Sequence, residues 1–188
     1  MIYIFTGPID SGKTNSIKQL VSNSGYRCPV SGSRRTTENG KRKTSIGGFL
    51  SLKVYENDQH IGYDLWEINS DRQLAFIRVQ RPKTKDQKNY RDNIGKFYFN
   101  SETFEYSNKL IEQANQYDLF IVDELGPLEL QGKGFWPALE KVFDCGTDFL
   151  FVIREGILDE FQKLFTKINK NVMTITDKEK LSSIFNIQ

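Results

Sequence analysis

Gly7-Pro8-Ile9-Asp10-Ser11-Gly12-Lys13-Thr14 is the stretch that decides how this sequence folds. It fits the pattern G-x-x-x-x-G-K-[ST] of loops whose backbone N–H groups surround phosphate oxygens. That pattern is informative only where a strand precedes it and a helix follows it. Residues 1–5 are an apolar run of strand length, and residues 15–22 repeat apolar side chains at the spacing of one helical face. The sequence therefore predicts a strand, a phosphate-binding loop and a helix in this order.

Every residue of this loop has a predicted role in binding a nucleotide. Residues 7–12 would surround the phosphates, with backbone N–H groups from all of them except Pro8, which has none, and the start of the helix would add partial positive charge. Lys13 would reach the β- and γ-phosphates, and the Thr14 hydroxyl would ligate Mg²⁺. The alternative is an ordinary glycine-rich turn in which Lys13 is a solvated surface lysine.

The composition is ordinary and excludes several classes of protein. With 188 residues, 38% of them apolar and 27% charged, the chain is predicted to form one domain with a sizeable core. A net charge of +2 gives no indication of nucleic-acid binding. No apolar run approaches the roughly 20 residues of a membrane span, and the N-terminus lacks a signal-peptide pattern. Two isolated cysteines, Cys28 and Cys145, suit the cytoplasm, and we expect both to be buried.

A second decisive stretch begins at Tyr117 and contains the run Leu119-Phe120-Ile121-Val122-Asp123-Glu124. A continuous apolar run is typical of a central parallel strand, because helices cover both faces of such a sheet. Ligands bind at the carboxyl ends of parallel strands, so the two acids are predicted to lie near the phosphates. Asp123 suits a Mg²⁺-holding role, and Glu124 suits a general base or water-positioning role. The alternative is an acidic strand end that caps the next turn.

Residues 47–99 read as an antiparallel β insertion. Residues 48–55 and 60–68 alternate with a period of about two and are joined by a polar turn, which predicts a β-hairpin. Shorter strands are predicted at residues 74–79 and 95–99. Residues 81–89 are polar and aperiodic, and we expect a disordered or lid-like loop there.

The basic loop at residues 31–45 has two interpretations. It contains almost nothing apolar, so it is either a solvated surface loop or a flap over the triphosphate. In the second case Arg34 or Arg35 would meet the γ-phosphate. Before it, residues 26–30 are a candidate short strand.

The C-terminal third is predicted to complete the sheet. Residues 148–153 are a second fully apolar strand, which ends at Arg154. An arginine at this strand end would bind the nucleotide as a sensor or internal arginine finger, or alternatively pair with a carboxylate such as Glu155. A helix at 157–167, a strand at 172–175 and a final helix opened by a capping box at 176–179 follow.

Five further stretches are particular to one known family. They are Gly48-Phe49, Ile61-Gly62-Tyr63-Asp64, Gly95-Lys96-Phe97, Phe104-Glu105 and Val122-Asp123-Glu124-Leu125-Gly126-Pro127-Leu128-Glu129-Leu130. Together with the phosphate loop, and in the same order over residues 1–143, they resemble the small P-loop nucleoside-triphosphatases of the THEP type, the cancer-related nucleoside-triphosphatase family. Two departures are Asp10, where the family often has glycine, and Asn15, where it often has threonine.

This resemblance implies a fold and an activity. The fold is α/β, a RecA-like three-layer P-loop NTPase with a central, mostly parallel sheet and an extra strand between the two Walker strands. The implied activity is slow Mg²⁺-dependent hydrolysis of ATP, GTP and other nucleoside triphosphates, with Lys13, Thr14, Asp123 and Glu124 at the family's motif positions. Two other functions remain open: a small-molecule kinase, in which Glu124 orients an acceptor hydroxyl, and a nucleotide-gated binding module with negligible turnover.

Overall fold

A computed structural model describes residues 1–23, 37–38, 41–42, 44–82, 85–90 and 92–184 of the chain. The strand predicted at residues 26–30, together with Arg34, Arg35 and Cys28, lies outside the described residues. The two readings of the basic loop therefore both remain predictions.

Among the described residues, one nine-stranded sheet forms the centre of the molecule. The strands, in chain order, are β1 (Ile2–Gly7), β2 (Thr37–Glu38), β3 (Lys41–Arg42), β4 (Ile46–Glu56), β5 (Gln59–Glu67), β6 (Gln73–Arg78), β7 (Asp92–Ile94), β8 (Phe97–Phe99), β9 (Leu119–Leu125), β10 (Asp148–Arg154) and β11 (Val172–Ile175). The order across the sheet is β11-β1-β10-β9-β4-β5-β6-β8-β7, while β2 and β3 pair only with each other. The five strands from β11 to β4 are parallel to one another, as the continuous apolar runs of β1, β9 and β10 predict for those three strands.

Helices cover both faces of this sheet. The α-helices are α1 (Lys13–Asn23), α2 (Ser101–Glu112), α3 (Pro127–Leu130), α4 (Trp136–Val142), α5 (Leu158–Lys167) and α6 (Lys178–Ile184). One buried cluster contains residues of α1 and α6, and a second cluster, on the other face, contains residues of α2, α4 and α5. Because β10 lies between β1 and β9, the extra strand between the two Walker strands is present. The predicted three-layer α/β fold is confirmed.

The predicted insertion is joined to the core differently from our expectation. Residues 46–49 of β4 pair in parallel with β9, whereas the rest of β4 pairs antiparallel with β5. Gly48 permits this close pairing, because a Cβ there would lie 1.9 Å from the Ile121 carbonyl oxygen. The antiparallel strands β5, β6, β8 and β7 then extend the same sheet. The first strand of the predicted insertion is therefore also a strand of the parallel core.

Several local predictions need correction. Residues 85–89 form a 3₁₀-helix, so the disordered alternative is wrong for them, while the lid-like alternative stays a prediction. A strand that sequence reasoning missed, β7, precedes β8. The final helix begins after Asp177, whose carboxylate accepts a hydrogen bond from the Lys180 N–H at 2.7 Å, so Thr176 is not the cap. Cys145 is exposed instead of buried. Among the described residues, no helix is both long and apolar enough to cross a membrane.

Candidate active site

The phosphate loop connects the end of β1 to the start of α1 and holds its own lysine in place. Lys13 Nζ donates hydrogen bonds to the carbonyl oxygens of Gly7 at 2.9 Å and Pro8 at 2.7 Å, and to Ser11 Oγ at 3.3 Å. Partial burial lowers the pKa of Lys13, while the nearby carboxylates of Asp123 and Glu124 raise it. The first N–H groups of α1 have no partner within the helix, and its first turn has no acidic residue. The loop therefore brings the Lys13 ammonium and the first N–H groups of α1 to one place, and their binding of phosphate stays a prediction.

Asp10 is the unusual residue of the loop, and the structure gives it a partner. Its backbone is left-handed, with φ at +63°, a conformation that aspartate tolerates better than most residues. Its exposed carboxylate pairs with Lys53 of β4, and this hydrogen bond holds the pKa of Asp10 below its ordinary value. Sequence reasoning missed Lys53, because nothing in an alternating strand shows which loop a surface lysine will meet.

Asp123 connects the two decisive stretches of the sequence. Its Oδ2 accepts hydrogen bonds from the Thr14 hydroxyl at 2.9 Å and from the Ser51 backbone N–H at 2.9 Å. The side chain is fully buried, and its Oδ1 has no hydrogen-bond partner. Burial, together with the neighbouring Glu124 carboxylate, raises the pKa of Asp123. A buried carboxylate oxygen without a partner is costly, which indicates a ligand at this atom.

A β-bulge places Glu124 beside Asp123 at the end of β9. Val122 pairs with Phe151 and Leu125 with Ile153, so Asp123 and Glu124 together oppose a single residue of β10. Glu124 is the extra residue and has a left-handed backbone, with φ at +63°. The bulge breaks the alternation of the strand, because Val122 and Leu125 now pack in the same buried cluster. A left-handed glutamate is strained, and such strain is concentrated at functional sites.

The charge of Glu124 is set by burial and by nearby cations. Its side chain is 29% exposed, and the nearest cation is Arg154 of β10, with Nη2 3.7 Å from Glu124 Oε1. Burial raises the pKa of Glu124, while Arg154, Lys13 and Lys53 oppose that rise. The described ion pair therefore joins Arg154 to Glu124 instead of Glu155, and a contact of Arg154 with the nucleotide stays a prediction.

The residues at this site fit a magnesium ion. Mg²⁺ in nucleotide sites is held by one or two protein oxygens together with phosphates and waters, so a cluster of several acids is not required. The Thr14 hydroxyl and the unpaired Asp123 Oδ1 are two such oxygens. The described residues contain no group of three or more acidic, histidine or cysteine side chains that could hold a metal ion. This donor set suits a metal that arrives with a nucleotide.

Comparisons with known proteins agree with this arrangement. A family model described as NTPase matches residues 2–187. The chain is 27% identical over 184 residues to "Nucleoside-triphosphatase THEP1" of Thermotoga maritima, covering 97% of this chain and 90% of that protein. It is 29% identical over 132 residues to the protein of the same name from Archaeoglobus fulgidus, covering 68% and 73%.

Two solved structures share the fold. The crystal structure of THEP1 from Aquifex aeolicus superposes with a TM-score of 0.65 at 18% identity, with 100% of each chain covered. The solution structure of a human cancer-related nucleoside triphosphatase superposes with a TM-score of 0.60 at 19% identity, covering 98% of this chain and 93% of that one. The resemblance seen in the sequence is confirmed, and so is the expectation of a nucleoside-triphosphatase. The chain belongs to the NTPase family, among proteins of the THEP1 type.

Proposed function

We propose that this NTPase binds a Mg²⁺–nucleoside triphosphate between residues 7–14 and the end of β9, and that Glu124 activates the attacking water. The observation that carries this proposal is the 2.9 Å hydrogen bond from Thr14 to Asp123, whose other carboxylate oxygen is buried without a partner. It joins two segments 109 residues apart at one point.

The nucleotide is held by groups of this chain that have separate tasks. The N–H groups of Gly7, of residues 9–12 and of the start of α1 surround the phosphates, and Lys13 contacts the β- and γ-phosphates. Thr14 and Asp123 hold Mg²⁺, which when bound neutralises charge on the phosphate oxygens. Arg154, whose side chain is 49% exposed, supplies a further positive charge beside Glu124.

Glu124 is placed to act as the general base. It accepts a proton from a water molecule, whose oxygen bonds to the γ-phosphorus while the bond to the β,γ-bridging oxygen breaks. The products are a nucleoside diphosphate and inorganic phosphate. A base works best when its pKa lies near the working pH, and burial moves the pKa of Glu124 upwards from that of an ordinary glutamate.

The range of substrates follows from where the contacts lie. All the contacts above are made to phosphates, so we propose that ATP, GTP, CTP and UTP are all hydrolysed. We also propose a cytoplasmic location, and one domain over residues 1–188. The second is supported by the continuous sheet that the antiparallel strands extend.

The test is phosphate release from each of the four triphosphates, with Mg²⁺ and with EDTA in its place. We expect release from all four that requires the metal. Release that is equal with EDTA would contradict the roles of Thr14 and Asp123, and release from a single nucleotide would contradict the proposed range.

A further inference from the structure

A cavity of about 400 Å³ begins where the phosphate site ends. It lies between strands β5, β6 and β8, helix α2 and the segment that follows β9. Glu124 and Arg154 line it, and so does Ser51, whose backbone N–H holds Asp123. Residues 7–14, all of which the structure describes, do not line it. The cavity and the phosphate loop are therefore separate compartments that meet at Glu124.

The walls of the cavity are mostly apolar and include several aromatic rings. Phe76, Phe97, Phe99 and Phe104 line it, and they come from three separate elements of the fold. Phe76 and Phe104 have ring centroids 5.3 Å apart, and Phe99 and Phe104 have centroids 5.9 Å apart. Such rings offer flat apolar surface, against which another aromatic ring packs favourably.

The polar groups of the cavity differ in their freedom to bind a ligand. Both carboxylate oxygens of Glu129 are occupied, because they accept hydrogen bonds from the N–H groups of Gly126 and Phe135. Tyr63, Lys96 and Arg154 also line the cavity, and each of these residue types has a side-chain hydrogen-bond donor. Glu124 alone combines an acidic side chain with access to the phosphate site.

This arrangement matches a small aromatic molecule that carries a hydroxyl group. A volume of about 400 Å³ lies within the range of pockets that bind small molecules. A nucleobase offers one flat ring system for the phenylalanines and ring nitrogens or carbonyls for the donors. A ribose supplies a hydroxyl that can face Glu124. Among aromatic alcohols, a ribonucleoside therefore matches the phenylalanine rings, the hydrogen-bond donors and the Glu124 carboxylate of the cavity.

We propose that the cavity binds a ribonucleoside and that this protein transfers the γ-phosphoryl group to it. The inference rests on the proposed function, because Lys13, Thr14 and Asp123 hold the donor triphosphate. Glu124 accepts the proton of the nucleoside hydroxyl, whose oxygen bonds to the γ-phosphorus while the bond to the β,γ-bridging oxygen breaks. The products are a nucleoside diphosphate, a nucleoside monophosphate and the proton taken up by Glu124. Hydrolysis is the same reaction with water in place of the nucleoside.

The test follows the label of [γ-³²P]ATP with Mg²⁺ and, in turn, adenosine, guanosine, cytidine or uridine. We expect at least one nucleoside to become labelled, with free phosphate as the second product. Labelled phosphate without any labelled nucleoside would overturn the inference and leave hydrolysis standing. If the label stays in ATP throughout, the proposed function fails as well.

Two variants place the transfer in the cavity. Phe97→Ala removes one aromatic wall, and Ile94→Trp adds bulk at the lining residue Ile94, which is 40% exposed. We expect each to lower nucleoside labelling at least tenfold, with phosphate release and ATP affinity within twofold of the native protein. The matched control is Tyr55→Ala, an exposed aromatic residue on β4 that does not line the cavity. Unchanged labelling in both variants would contradict the site. Weakened ATP binding in these variants would mean that the cavity holds the nucleobase of ATP, and it would contradict the proposal.

Discussion

The phosphate loop and the aromatic cavity meet at Glu124 but are built in opposite ways. The loop is a continuous run of eight residues that relies on backbone groups and one lysine, and its Ile9 side chain is 72% exposed. The cavity relies on side chains from several strands, a helix and the segment after β9. Binding a phosphate requires a fixed backbone shape, whereas binding a ring requires apolar surface that any part of the fold can supply. The first kind of site can therefore be read in a sequence, and the second cannot.

Glu124→Gln tests whether both compartments depend on the same base. We expect the turnover of ATP, with water or with a nucleoside as acceptor, to fall by roughly 10²–10⁴-fold, because the amide cannot accept the proton. ATP affinity, measured by titration calorimetry, should remain within a few-fold of the native value. The control is Glu155→Gln, an exposed glutamate just beyond β10. Native turnover in the Glu124 variant would remove Glu124 from the mechanism.

Lys13→Ala changes the phosphate loop without changing a residue that lines the cavity. The ammonium makes charge-assisted contacts to phosphate, so its loss should weaken ATP binding by about 1.5–3 kcal/mol, or roughly 10- to 100-fold. Lys18→Ala is the control, since Lys18 lies in the same helix but stacks over Trp66. Equal ATP affinities of the native and Lys13 variants would show that the loop does not hold the triphosphate.

The pH dependence of turnover tests the environment of Glu124. The ionised form is the base, and burial raises its pKa, so activity is lost as the pH falls through that raised pKa. We expect the acidic limb of the kcat profile to lie above the ordinary range of a glutamate, with a tenfold loss per pH unit below it. The limb should disappear in Glu124→Gln. An acidic limb at the ordinary pKa of a glutamate would mean that solvent screens the Glu124 carboxylate.

Asp10→Gly should have the smallest effect on ATP binding. Glycine accepts the left-handed backbone freely, and its presence removes a carboxylate beside the phosphates and frees Lys53. Because the existing ion pair is exposed, we expect only a few-fold gain in ATP affinity. Asp58→Gly is the matched control, since Asp58 has a similar φ of +60° in the turn between β4 and β5. Weaker ATP binding in the Asp10 variant would show that this carboxylate organises the loop.

Much of the core could be predicted from local sequence. The strands β1, β9 and β10 could be predicted because a continuous apolar run has few interpretations other than a buried strand. The loop motif also predicted the helix that follows β1. The cap of α2 is likewise a contact between residues close in sequence: the Asn100 side chain accepts hydrogen bonds from the N–H groups of Glu102 and Thr103. Signals of this kind depend on residues only a few positions apart.

The rest depends on contacts between distant segments, which no local pattern records. The Asp10–Lys53 pair joins residues 43 positions apart, and the Ser51 N–H reaches Asp123 across 72 positions. The bulge at Glu124 leaves no trace in the apolar run before it, although it decides where both acids point. The cavity likewise became visible only once the strands had been placed side by side.

The central claim is that Thr14 of the loop and Asp123 of β9 act together on one bound Mg²⁺–triphosphate. A double-mutant cycle of Thr14→Ala and Asp123→Asn, read out as Mg²⁺-dependent ATP affinity, tests it directly. We expect each single change to weaken ATP binding, and the double variant to bind ATP about as well as the weaker single variant. Losses that simply add would contradict it, because two groups that share one ion cannot be lost independently.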